Sequence, residues 1–230
     1  MEDIRKNLAR ITERIESAAA QAGRESDDIT LIAVSKKMHQ SHIQAAIDCG
    51  HLCFGENYIQ EAQEKIPKFT KNITWHFIGH LQSNKARQAA ELFDIIETVD
   101  TRKLATTLNN HLAKIQKTLR ALVQVNVSGE KQKSGISPGE LEDFLRTTHS
   151  LSHLKITGLM TMPPFYDDPE KVRPYFRHLA EISQKMTAKK LIGNHCPVEL
   201  SMGMSGDFEV AIEEGATIVR VGSSIFGPRP

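Results

Sequence analysis

Lys36 stands at the end of a short apolar run, residues 31–34. Packing against such a run desolvates an amine, and desolvation lowers a lysine's pKa toward the neutral form that attacks an aldehyde. Lys37 competes for the role, because period-two alternation does not say which neighbour points inward when both faces of a sheet are buried. A solvated loop lysine is the plainer reading of either residue. Near the other end of the chain, Ser201-Met202-Gly203-Met204-Ser205 leads into GDFEVAIEEG, a helical segment closing at Gly215. Gly203 permits close backbone approach, Ser205 can cap the helix, and free N–H groups at a helix start bind phosphate. Gly222-Ser223-Ser224 repeats the pattern. Arg220, two residues before Gly222, shares its strand face one step deeper. A buried arginine needs an acceptor, either a ring nitrogen or a carboxylate such as Asp207 or Glu199.

These residues need a scaffold, and the hydrophobic pattern supplies one. β-rich runs begin at 29 (ITLIAVSK), 51 (HLCFGE), 73 (ITWHFIG), 94 (DIIETVD), 120 (RALVQVNVS), 155 (KITGLMTM), 197 (PVELSMG) and 216 (ATIVRVGSS). Amphipathic segments fill most gaps; in one, Ile43, Ala46 and Ile47 share a face that ends at Gly50. Ile4, Leu8, Ile11 and Ile15 form one stripe of an extra helix over residues 1–23, ahead of the first strand. An open doubly wound sheet gives the same local pattern, but eight strands favour a closed (β/α)8 barrel. The 230 residues suit one such barrel of roughly 250 and leave no room for a second sizeable domain. The expectation is therefore a single domain, residues 1–230. In this fold function gathers at the C-terminal strand ends, and the loops after strands seven and eight are the usual phosphate site.

Lys plus Arg number 29 against 28 Asp plus Glu, so no global field draws the chain to nucleic acid or an anionic membrane. Cys49, Cys53 and Cys196 lack zinc or CxxC spacing and read as packing residues in a reducing compartment. No stretch approaches 18 apolar residues and the N-terminus has no apolar leader core, so the expectation is a cytoplasmic protein. Neither a P-loop nor a GxGxxG fingerprint occurs.

A lysine for an aldehyde, a phosphate cup and an arginine beneath a ring together describe pyridoxal 5′-phosphate. Through AVSK at 33, FGENYIQE at 54, WHFIGHLQSNK at 75, KSG at 133, GLM at 158, SMGMSGD at 201 and VRVGSSIFG at 219, the chain resembles the YggS/PROSC family of pyridoxal phosphate homeostasis proteins. That resemblance implies a barrel like the N-terminal domain of alanine racemase. It implies Lys36 as the Schiff-base lysine, Arg220 at the pyridine nitrogen, and Ser201, Gly203, Gly222 and Ser223 around the phosphate. Asn57 and His80 would lie near the pocket. Where the family often extends past its FG motif, this chain stops at Gly227-Pro228-Arg229-Pro230.

The expected activity is binding without catalysis by a monomer, with apo pyridoxal-phosphate enzymes as recipients. The alternative is an amino-acid racemase. Racemisation needs an acid/base group on each side of the α-carbon, and beside Lys36 only Tyr58, Tyr166 or Tyr175 could serve. A lysine-dependent aldolase would use a lysine at the C-terminal end of strand six, whereas Lys155 is at its start. His76 and His80 share a strand face by spacing but have no third ligand for zinc. His149 and His153 are expected to face solvent, and Lys185, Lys189 and Lys190 to form a solvated helix end.

Overall fold

A computed structural model describes residues 2–70, 72–130, 132–193 and 197–228. Cys196, Arg229 and Pro230 lie outside the described residues. Eight strands follow in chain order: β1 (Thr30–Val34), β2 (Cys53–Glu56), β3 (Thr74–Phe77), β4 (Ile95–Val99), β5 (Leu119–Gln124), β6 (Leu154–Met160), β7 (Glu199–Met204) and β8 (Ile218–Val221). Each pairs in parallel with the next, and β8 closes on β1 through Thr30↔Ile218 to Ala33↔Val221. All eight expected strands are present, and they form the expected closed barrel, not the open sheet.

Period-two alternation sorts the strand residues into two layers. Ile32, Val34, Leu122, Met160 and Ile218 meet inside the barrel with Ile78. Their neighbours Ala33, Ala121, Val123, Leu159, Val219 and Val221 face the helices and join the larger outer core. Fully burying a side chain of this size contributes about 1.5–3 kcal/mol, so a one-residue slip that exchanged the layers would be strongly disfavoured.

The first helix, α1 (Glu2–Gln21), buries Ile4, Leu8, Ile11 and Ile15 in that outer core and extends the stripe through Ala18 and Ala19. It packs on α8 (Phe208–Glu213) and α9 (Ser223–Phe226), the short helices behind β7 and β8. Arg14 fixes the contact, pairing with Glu209 at 2.5 Å and lying 4.6 Å over the Phe208 ring. The remaining helices are α2 (Gln40–Asp48), α3 (Ile59–Lys65), α4 (Ala86–Leu92), α5 (Arg102–Lys114), α6 (Leu141–Thr148) and α7 (Arg173–Ala188). The loop bearing Met162-Pro163-Pro164 connects β6 to the short 3-10 turn Pro169–Lys171 ahead of α7.

Some expectations change. Cys49 is exposed and Cys53 half-buried, so of these two only Cys53 packs, against the interior cluster. His149 is exposed, but His153 is half-buried in the turn before β6, where its Nδ1 lies 3.1 Å from Lys117 O. Helix α6 ends before both. Lys189 closes α7 with an ion pair to Glu142.

Candidate functional site

A cavity of about 240 Å³ opens at the C-terminal ends of the strands. Lys36 reaches it because Ile32, Val34 and Lys36 continue one inward alternation past the end of β1. Lys37 turns outward, exposed and with φ 61°, so the two candidate lysines part company. Asn57 enters from the end of β2, Gly222 and Ser223 from the end of β8, and Ser205 from the end of β7. Val34, Ile78 and Met204 give it apolar walls, and Arg220 forms part of its lining.

Arg220 is buried, and the structure supplies acceptors the sequence did not suggest. Its guanidinium donates to Ser201 Oγ at 2.5 Å and to Thr161 O at 2.8 Å. Ser201 Oγ in turn donates to Glu97 Oε2 at 2.6 Å, and that oxygen lies 3.8 Å from the guanidinium. Glu97 Oε1 is 2.7 Å from His76 Nδ1. Burial alone would lower the His76 pKa, but contacts with the Cys53 side chain and Glu97 outweigh it and push it up to about 10. Burial likewise works against the Glu97 anion, yet His76, Arg220 and Ser201 hold its carboxyl below the ordinary value. The proposed partner Glu199 is corrected: it pairs with Arg120 at 2.8 Å at the opposite end of the barrel. Asp207 lines the cavity, but its Oδ1 accepts the Met204 N–H at 2.6 Å. The one sign of Glu97 was a carboxylate inside the apolar run of β4; its distant partners left no spacing to read.

The two Gly/Ser turns meet, though not as expected. Asp207, not Ser205, occupies the N-cap position of α8, because the helix begins at Phe208. Ser205 Oγ instead accepts the Gly222 N–H at 3.4 Å, tying one turn to the other. Ser201 and Gly203 do not line the cavity. Gly203 has φ 92°, and a Cβ there would come within 2.6 Å of Ala211 Cβ, so its glycine permits close strand–helix packing. His80 also stays apart: its side chain is 59% exposed and its Nδ1 lies 3.2 Å from Ser134 Oγ. Since β3 ends at Phe77, His76 and His80 do not share a strand face. Among the described residues no cluster of three or more His, Cys, Asp or Glu could hold a metal ion.

The loop after β6 adds Met162, Phe165 and Tyr166 to the cavity, a contribution that composition alone did not reveal. Tyr166 is the one expected tyrosine in the lining; its hydroxyl is 3.4 Å from that of Tyr175, and the contact raises the Tyr175 pKa. A larger cavity, about 470 Å³, lies at the opposite face, beside Arg120, Lys155 and Ile156. That end of a barrel serves stability, and the cavity contains none of the expected site residues.

The donor set suits pyridoxal phosphate: an amine for the aldehyde, apolar walls for a ring and a buried cation. Asn57 also brings a buried Oδ1 with no hydrogen-bond partner, an acceptor left for a ligand's donor. Barrel and site together define the class, and residues 6–230 match the family described as alanine racemase, N-terminal domain. The pyridoxal phosphate homeostasis protein of Escherichia coli K12 is 42% identical over 233 residues, covering 100% of this chain and 98% of that protein. An unknown protein from Bifidobacterium adolescentis superposes with TM-score 0.89 at 35% identity, over 98% of this chain and 95% of that one. PipY of Synechococcus elongatus with pyridoxal phosphate bound gives TM-score 0.82 at 33% identity, over 94% and 100%. The chain belongs to the YggS/PROSC family of pyridoxal phosphate homeostasis proteins.

Proposed function

We propose that residues 1–230 act as one pyridoxal-phosphate-binding domain that serves intracellular cofactor homeostasis without catalysis, with Lys36 as the linking amine. The observation that carries the reading is the inward position of Lys36 in a cavity shared with Asn57, Arg220, Gly222 and Ser223. When bound, the cofactor supplies an aldehyde that condenses with an amine, releasing one water, and a ring that can withdraw electrons. Lys36 Nζ is the nucleophile. Arg220, a guanidinium in the cavity lining, would donate to a ring nitrogen and so leave that atom without a proton, which would weaken the electron sink. Ser223 would meet the phosphate with its backbone N–H and hydroxyl, and Gly222 would allow close approach there while its own N–H is held by Ser205, which braces the turn. Gly203 and Ser201 support that arrangement from behind, and His80 lies at its periphery.

The racemase alternative has one favourable observation, Tyr166 in the cavity lining. A second base there would have to work beside a weak electron sink, and racemisation needs proton transfer on both faces of the α-carbon. We also propose that the protein works as a cytoplasmic monomer that passes the cofactor to apo-enzymes. Among the described residues no helix is long and apolar enough to cross a membrane.

The test is a visible spectrum and borohydride reduction of the purified protein with pyridoxal phosphate. A pyridoxyl mass on Lys36, and loss of the yellow colour in Lys36→Ala, are expected. Label on Lys37 instead would overturn the assignment.

A further inference from the structure

Behind the pocket, on the outer face of the barrel, a charged cluster grips the chain on both sides of Lys36. Ser35 is buried; its hydroxyl donates to Glu56 Oε1 at 2.6 Å, and its carbonyl accepts from Lys65 Nζ at 2.7 Å. Lys65 Nζ also reaches Glu56 Oε1 at 3.0 Å and Glu61 Oε1 at 2.5 Å. Glu61 Oε1 then accepts the Lys37 backbone N–H, again at 2.5 Å. Glu56 ends β2, while Glu61 and Lys65 lie one turn apart on α3, so the cluster ties the β2–α3 unit to the β1 loop.

Glu56 is fully buried and Lys65 nearly so, and burying such charges is costly unless geometry and hydrogen bonds compensate. The compensation is incomplete, since Glu56 Oε2 is buried without a partner. The cluster's backbone bonds go to residues 35 and 37, and Lys37 holds a left-handed φ of 61° that a residue with a Cβ adopts reluctantly. Fixing both neighbours outward leaves residue 36 facing inward.

We infer that Glu56, Glu61 and Lys65 are positioning residues that turn Lys36 into the pocket by pinning Ser35 and Lys37 on the outer face. The inference rests on the reading of Lys36 as the amine that takes the aldehyde. It also gives a role to the Glu56 and Glu61 positions of the FGENYIQE motif, neither of which touches the cavity.

The experiment compares two probes that share a ring and a phosphate. Pyridoxal phosphate has the aldehyde, whereas pyridoxine 5′-phosphate has a hydroxymethyl group and reports only non-covalent fit. Glu61 lies at the more exposed end of the cluster, so Glu61→Ala is expected to fold, as circular dichroism will show. It should bind pyridoxine 5′-phosphate within about twofold of the unmodified protein. Its rate of covalent capture, followed by absorbance and by borohydride label on Lys36, should fall about tenfold or more, as expected when a reacting group is misplaced. Part of the label should move to Lys37. Glu61→Gln keeps an amide oxygen for the Lys37 N–H and should recover most of the rate; Lys65→Met, if it folds, should behave like Glu61→Ala. Unchanged capture by Glu61→Ala, with unmodified protein labelled on Lys36, would overturn this inference alone. An equal fall in pyridoxine 5′-phosphate affinity would overturn it too, because the cluster would then support the whole pocket. Label absent from Lys36 in the unmodified protein would sink the functional reading and this inference together.

Discussion

Replacing Glu97 with Gln removes the carboxylate that stands between two buried cations, and the consequences can be worked out for both stability and its pH dependence. His76 and Arg220 each approach a different Glu97 oxygen, and all three side chains are buried. Removing one member of a buried pair costs about 3–5 kcal/mol, because the remaining charge is left uncompensated. At about 2–4 °C per kcal/mol for a chain of this size, Tm should fall by about 6–20 °C. In the unfolded chain His76 titrates near 6.5, whereas in the fold its pKa is pushed up to about 10. Between those values the folded state holds the extra proton, so the His76 contribution is complete below about 6.5 and declines by about 1.4 kcal/mol per pH unit as pH rises toward 10. Glu97 has the opposite sign: its carboxyl is held low, so its contribution is present above the ordinary carboxylate range and fades in acid. In Glu97→Gln, only the Cys53 side chain still opposes burial at His76, so the alkaline slope should shrink. Urea unfolding at pH 7, 8 and 9 measures it for both proteins, with lysine and cysteine titrations common to the two. Parallel pH dependences, or a loss under about 1 kcal/mol at pH 7, would refute a charged His76–Glu97 pair.

Gly203→Ala should destabilise by about 1–3 kcal/mol, since its Cβ would press on Ala211 from a left-handed backbone; an unchanged urea midpoint would contradict that packing. Pyridoxal without its phosphate should bind at least about tenfold more weakly, roughly 1.4 kcal/mol, if Gly222 and Ser223 hold the phosphate, and equal affinity by fluorescence titration would assign that group to solvent. Mixed with L-alanine in deuterated water, the loaded protein should give little α-deuterium and no appreciable D-alanine by NMR. Racemisation on the order of 10 per second would instead make Tyr166 the opposing base.

The fold could be read from the sequence because its signal is repetitive: eight β-rich runs with amphipathic segments between them, and an N-terminal stripe from Ile4 to Ile15 that is buried as expected. The cavity lining was legible where it depends on one residue and its immediate neighbours, as with Lys36 at a strand end and the turn at Gly222. It was not legible where partners come from distant strands. Nothing local to Arg220 points to Glu97, because the bridge runs across the barrel through Ser201. Helix capping by Ser205 failed for a related reason: the chain stays non-helical through Asp207, whose carboxylate binds back to Met204 before the helix begins. The choice between Lys36 and Lys37 also depended on tertiary structure, since only the interior membership of Ile32 and Val34 tells which parity faces the pocket.

That parity links the two charged networks. The interior network of His76, Glu97, Ser201 and Arg220 sets a cation beneath the pocket, and the outer network of Glu56, Glu61 and Lys65 holds the backbone that carries the lysine. They lie on opposite sides of one sheet layer and use different strands, β3, β4, β7 and β8 against β1 and β2, the outer one drawing also on α3. Mutations in one should therefore be nearly additive with mutations in the other unless bound cofactor couples them. The pocket's rim, by contrast, is the loop bearing Met162 and Phe165, both exposed. An enzyme that protects reactive intermediates must exclude water, whereas a reversible carrier requires water to reach its carbon–nitrogen link so that the aldehyde can leave. A hydrogen-bonded network beneath the lysine and an exposed rim above it are both compatible with the proposed reversible binding.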